Sequence, residues 1–300
     1  MATESISLKK EINTHRMLRR AGLVLAIIFA LGELVTWDSK SALPWTLGLI
    51  INVGFAAGAS VLAFAAARHF DRGETARRVW LLIAFMALAD CGVLISFTLP
   101  RIVGAFEGAV TLTLLTSILT ALSRGLFLPL ALWMVVRIYR GIGLGFHLER
   151  WDYLPMIAFA GMGVLSLALV GSVARSQLFI GDPGLVRFLR AVGLLLLPAL
   201  VLSSVFGVMT WRYAKQMGGG LVAKAWKSIL LCTVLWLARF ACLGVLTQWF
   251  GSDVNDRPLI IEMISFWSVL ASECALFMGA SCQYEACAGA VDLDPEEMPV

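Results

Sequence analysis

The chain has 300 residues, of which 59% are hydrophobic and only 15% charged. A soluble domain carries about 45–50% apolar and about 25% charged residues, so this composition excludes an ordinary soluble domain. The formal net charge of +4 calls for no nucleic-acid partner, because the placement of Lys and Arg reads as a membrane-orientation signal.

The apolar residues fall into blocks of about 20, the length of helix that crosses a hydrocarbon core roughly 30 Å thick. They predict an all-α integral membrane protein, a bundle of eight transmembrane helices spanning 21–37, 43–67, 79–99, 109–136, 154–174, 189–211, 228–250 and 259–282. Residues 1–20 form an N-terminal tail, 21–282 the transmembrane domain, and 283–300 an acidic tail. The basic start (Lys9, Lys10, Arg16, Arg19, Arg20) is followed by a short apolar run that holds Glu33. No small-residue cleavage site follows cleanly, so this run reads as a retained first helix and not as a signal peptide.

Pro44 opens the second span, which carries Gly54 and Gly58 at four-residue spacing, a pattern that permits close helix approach. Asp90 lies inside the third span. The fourth holds a polar stripe, Thr113, Thr116, Ser117, Thr120 and Ser123, that ends on Arg124. Spacings of three and four residues put these side chains on one helical face. Pro129, further along this span, and Pro198 in the sixth are predicted to kink their helices or loosen their hydrogen bonding. Asp182-Pro183-Gly184 and Asp256-Arg257-Pro258 read as helix starts before the sixth and eighth spans. Gly218, Gly219 and Gly220 make the loop between spans six and seven flexible. Arg239 lies in the seventh span. The eighth has a thinner stripe, Glu262, Ser265, Ser272 and Glu273, and the small residues Ala271, Ala275 and Gly279 at four-residue spacing. The ending "AVDLDPEEMPV" has acids, two prolines and no Lys or Arg, and reads as a disordered tail.

Counting Lys and Arg on the two sides of this arrangement gives 16 against 6, with Arg124 and Arg239 left inside spans. Positive residues stay on the cytoplasmic side, so both termini are expected in the cytoplasm, with the chain in a plasma or bacterial inner membrane. Trp37, Trp45, Trp80, Trp133, Trp151, Trp211, Trp226 and Trp249 fall near predicted span ends, where the indole suits the headgroup region.

Asp90 and Arg124 are 34 residues apart, and so are Arg239 and Glu273. At an offset of 149 residues, Ser123-Arg124 aligns with Ser272-Glu273, Thr116 with Ser265, and Leu88-Ala89 with Leu237-Ala238. A four-plus-four duplication with halves 21–140 and 154–282 is one reading of this, and parallel halves would follow from the even number of spans. A charge at a helix centre costs about 2.5–3.5 kcal/mol on insertion scales. Asp90, Arg124, Arg239 and Glu273 are therefore expected to face inward as a mutually neutralising intramembrane cluster.

Two uses of such an interior compete. The hydroxyls of the stripe could bond back to their own helix while the charge pairs lock helices together. Alternatively the stripe could line a wet vestibule ending at the charges, as in a protein that transports or conducts a small polar or charged solute or an ion. A proton relay through Glu262, Glu273 and Asp90 is a narrower form of the second. A non-catalytic membrane subunit acting through a protein partner, at its basic loops or acidic tail, is the alternative to transport. Enzyme chemistry has little support. His15, His69 and His147 fall outside the spans, which argues against haem ligation within the bilayer. No HExxH, GxSxG or Walker pattern occurs, and His147 with Asp152 is a weak acyltransferase-like spacing. No cofactor or metal is expected. The six cysteines, Cys91, Cys232, Cys242, Cys274, Cys282 and Cys287, read as small apolar packing residues, with lipidation or redox use of Cys282 and Cys287 not favoured.

Overall fold

The computed structural model describes residues 17, 20–24, 27, 42–103, 115–116, 118–141, 157, 183–217, 220–249 and 259–290, apart from the side chains of 42–46, 97–103, 183–197, 200, 237–249, 259–266 and 290. The first and fifth predicted spans lie almost wholly outside the described residues. Those described are almost all helical, with no strand among them. They are α1 (Ala42–Arg68), α2 (Thr75–Val103), a π-helical segment (Ala121–Phe127) that runs into α3 (Leu128–Gly141), α4 (Pro183–Gln216), α5 (Leu221–Trp249) and α6 (Leu259–Ala290). Three stretches among them, Leu47–Arg68, Thr75–Ser96 and Ile118–Gly141, are long and apolar enough to cross a membrane.

Several boundaries follow from local chemistry. Pro183 is the first residue of α4, where its missing N–H costs nothing and its fixed φ suits the first turn. Pro258 immediately precedes α6. Arg68 sits in the last turn of α1, where a cation complements the helix dipole. The α1–α2 turn closes through backbone bonds from His69 N–H to Ala66 O (3.2 Å) and from Glu74 N–H to Asp71 O (3.1 Å). So short a connection makes the two helices antiparallel neighbours, and the Ser60 hydroxyl donates across them to Ala84 O at 3.0 Å.

Helix α1 packs on α2 and α6, α5 packs on α6, and α4 closes against α3, the π segment and α5. One apolar core joins them, with Ile83, Met86, Leu128, Leu132, Ile229 and Leu276 almost fully buried. Large apolar side chains on the outside, such as Val61, Leu88, Leu126 and Leu231, are half or more exposed, a surface suited to hydrocarbon and not to water. The tryptophans divide. Trp133 and Trp211 are exposed, as the span-end reading expects, whereas Trp80 and Trp226 are buried with ring centroids 5.4 Å apart. The buried pair fastens α2 to α5 and offers nothing to a headgroup layer.

The small residues also divide. A Cβ on Gly279 would sit 3.0 Å from Ala225 O and 2.9 Å from Ile229 Cγ1, so α5 and α6 touch there nearly backbone to backbone. A Cβ on Gly58 would meet the Phe277 ring at 3.0 Å, whereas one on Gly54 would meet nothing within 4 Å. Both close contacts are within the chain. Replacing Gly279 with Val is therefore expected to destabilise the protein by about 1–3 kcal/mol through overpacking, while Gly54→Ala causes no loss and adds up to about 1 kcal/mol through helix propensity. Thermal unfolding of both variants in detergent checks the contrast.

Candidate functional site

Asp90 is in the middle of α2, 1% exposed, and Arg124 is in the π segment, 5% exposed. They form an ion pair, Arg124 Nη2 to Asp90 Oδ2, at 2.7 Å. The Ser123 hydroxyl donates to the other carboxylate oxygen, Oδ1, at 2.6 Å. Both oxygens of Asp90 therefore accept short, charge-assisted bonds. Two adjacent residues can converge on one carboxylate because the chain here is π-helical. A π turn is wider than an α turn, which narrows the angle between consecutive side chains, and such turns recur at functional sites. The sequence expects Pro129 to kink this helix or loosen its hydrogen bonding, and the π segment lies just before it. Pro129 cannot donate to the preceding turn, and its ring crowds the carbonyl four residues back. The Leu128 N–H, just before it, bonds to Ser123 O, the i→i+5 pattern.

The guanidinium also meets the other half of the chain. Its Nη1 lies 3.7 Å from Met86 Sδ and 3.8 Å from Cys232 Sγ, both weak acceptors. Its central carbon lies 4.7 Å from the centroid of the Trp236 ring, a cation–π geometry. Trp236, one turn beyond Cys232 on α5, donates its indole N–H to Glu273 Oε1 at 3.0 Å. Glu273 is fully buried on α6. Beside it, the Ser272 hydroxyl donates to Cys232 O at 3.2 Å and also lies 3.2 Å from Cys232 Sγ. Four helical segments thus place Asp90, Arg124 and Glu273 around one indole and two sulfur atoms. The Arg124 Nε–H is buried and has no hydrogen-bond acceptor among the described residues.

Of the predicted cluster, the structure brings together Asp90, Arg124 and Glu273. Arg239 is on α5, three residues past Trp236, and its side chain lies outside the described residues. Of the predicted stripe, Thr113 and Ser117 lie outside the described residues, as do the side chains of Glu262 and Ser265. Thr120 bonds back to Thr116 O at 2.8 Å. The Thr116 hydroxyl meets Ser96 Oγ of α2 at 2.7 Å, and Ser96 also donates to Val93 O at 2.7 Å. So one hydroxyl serves its own helix, and Thr116 and Ser123 cross to α2.

Met86, Cys232, Trp236 and Ser96 were not legible as site residues from spacing alone. One signal existed for Trp236. It and Trp267 are the two tryptophans away from predicted span ends, and a buried indole N–H needs an acceptor. Cys91, Cys232, Cys274, Cys282 and Cys287 are free thiols. At the end of α6, burial holds the Cys287 thiol above its ordinary range, and the bond donated by Gln283 Nε2 at 3.3 Å only partly offsets this. A thiol so placed is a poor nucleophile. Among the described residues no three His, Cys, Asp or Glu side chains are grouped to hold a metal ion. Compared with known proteins, the chain matches no family model, no curated protein and no solved structure.

The indole has two separable jobs. Trp236→Phe keeps a ring face for Arg124 but loses the bond to Glu273; Trp236→Leu loses both. Unfolding midpoints are expected to fall in the order parent, Phe, Leu. The Phe step should cost about 1–3 kcal/mol, the penalty for removing one partner of a buried hydrogen bond. Equal midpoints for Phe and Leu would remove the cation–π contact from the account.

Proposed function

We propose that the protein is an eight-span membrane protein, both termini cytoplasmic, that transports or conducts a small polar or charged solute or an ion along the seam between two four-helix halves. One observation carries the reading. Charged groups from both halves, Asp90 and Arg124 from the first and Glu273 from the second, meet at a single buried centre joined through Trp236. Solute sites of repeat-built transporters lie at such repeat interfaces near mid-membrane. Arginine suits an anionic group and carboxylates a cation or proton, so the centre has a group for either sign. Three-point support for the eight-span arrangement comes from the apolar blocks, the 16-to-6 Lys/Arg asymmetry and the helical character of the described residues.

A second reading, a non-catalytic membrane subunit acting through a protein partner, is favoured by a different observation. The described hydroxyls Thr116, Thr120 and Ser123 are all bonded within the protein, as structural glue would be.

Accessibility separates the two. If a vestibule follows the stripe, Thr113→Cys and Thr120→Cys react with a membrane-impermeant thiol reagent added outside intact cells. Protection of both, in protein that melts like the parent, supports the subunit reading and contradicts transport along this face. A C-terminal epitope that antibody reaches only after permeabilisation is the expected outcome for orientation.

A further inference from the structure

Asn52 is completely buried in α1, within the apolar stretch Leu47–Arg68. Neither its amide oxygen nor its amide nitrogen has a hydrogen-bond partner among the described residues. A buried amide left unpaired carries its full desolvation penalty, and it sits where leucine would fit the composition without that penalty. The surroundings identify its level in the bundle. One turn along α1, Ala56 packs with Cys91 and Leu94 of α2 and Val269 of α6, while Phe55 packs with Leu270 and Cys274 of α6. Because α1 and α2 are antiparallel, stepping back from Ala56 to Asn52 steps forward along α2 to the turn holding Ser96. There Ser96 meets Thr116 at 2.7 Å. Helix α6 runs parallel to α1, so its corresponding stretch lies at about residues 265–271. Asn52, Ser96 and Thr116 thus share one level. Ser96 and Asp90 are six residues apart on α2, about 9 Å along the axis.

We infer that Asn52 forms a water-binding station between α1, α2 and α6, one level from the Asp90–Arg124–Glu273 centre and on the predicted outward side of it. The amide offers two donors and an acceptor with two lone pairs, and a water molecule needs two to four such partners to be held in an interior. This rests on the solute-path reading above for its direction only; the unpaired amide stands without it. The station hydrates the approach to the charges from the α1 face, opposite the helix that carries the Thr and Ser stripe.

The test uses the full chain in membranes and compares Asn52→Cys with the parent, whose own cysteines give the blank. A small cationic methanethiosulfonate added outside is expected to modify the Asn52→Cys variant well above the parent level. In detergent, Asn52→Leu and Asn52→Ser are expected to melt close to the parent temperature, since the leucine displaces the amide and its water together and the serine hydroxyl keeps a partner for the water. The inference is overturned if Asn52→Cys reacts no more than the parent, or if both other variants melt clearly below it, which would mean that the amide is held by protein groups. Thr120→Cys distinguishes the two failures. If it reacts while Asn52→Cys does not, the solute path stands and only the Asn52 station is lost.

Discussion

A charge in hydrocarbon is the constraint from which the rest of this structure follows. Asp90 and Arg124 could not each face lipid without a cost of about 2.5–3.5 kcal/mol on insertion scales, and their 2.7 Å contact lets the two be buried together. Even a well-made buried pair roughly balances its desolvation against its attraction. The surrounding groups therefore matter. Ser123 satisfies the second carboxylate oxygen, Trp236 covers the guanidinium face, and Met86 and Cys232 give it soft acceptors. Each lies on a different turn or helix, so solvating the pair also dictates how the helices meet.

That requirement shapes the backbone. Helix α2 must present Asp90 inward, which it does beside the closely packed α1. The helix carrying Arg124 must present two consecutive residues to one carboxylate, and it does so by widening into a π turn ahead of Pro129. Helices α5 and α6 must approach closely enough to bring Trp236 over the guanidinium and Glu273 to the indole N–H. Gly279, with the Ala225 carbonyl beside it, permits that approach. Local strain in hydrogen bonding at Pro129, small residues at the α5–α6 contact and a buried ion pair are parts of one solution.

Much of the helical framework was legible because apolar length and turn residues are local signals. Pro183 and Pro258 mark helix starts where the sequence places them. The 34-residue spacing of Asp90 and Arg124 on antiparallel spans made their meeting foreseeable, with a long arginine covering the difference in depth. The rest was hidden for physical reasons. Pro129 signalled disturbed helical bonding, but periodicity at 3.6 residues assumes an α-helix and gave no sign that the disturbance takes the form of a π segment. The roles of Cys232 and Trp236 depend on how α5 meets helices distant in sequence, which no local pattern encodes. Trp80 and Trp226 misled in the opposite direction: near span ends by sequence, they turn inward and pack against each other with tilted rings. Asn52 was overlooked because one amide in an apolar run leaves no periodic trace.

The central claim is that Asp90 and Arg124 stabilise each other inside the bundle. A double-mutant cycle tests it most directly: Asp90→Asn, Arg124→Gln and the two together, each unfolded reversibly in mixed micelles. Direct contact predicts strong coupling, above about 1 kcal/mol, with the double variant less damaged than the sum of the singles. Additive effects, with coupling within about 0.3 kcal/mol of zero, would contradict the account.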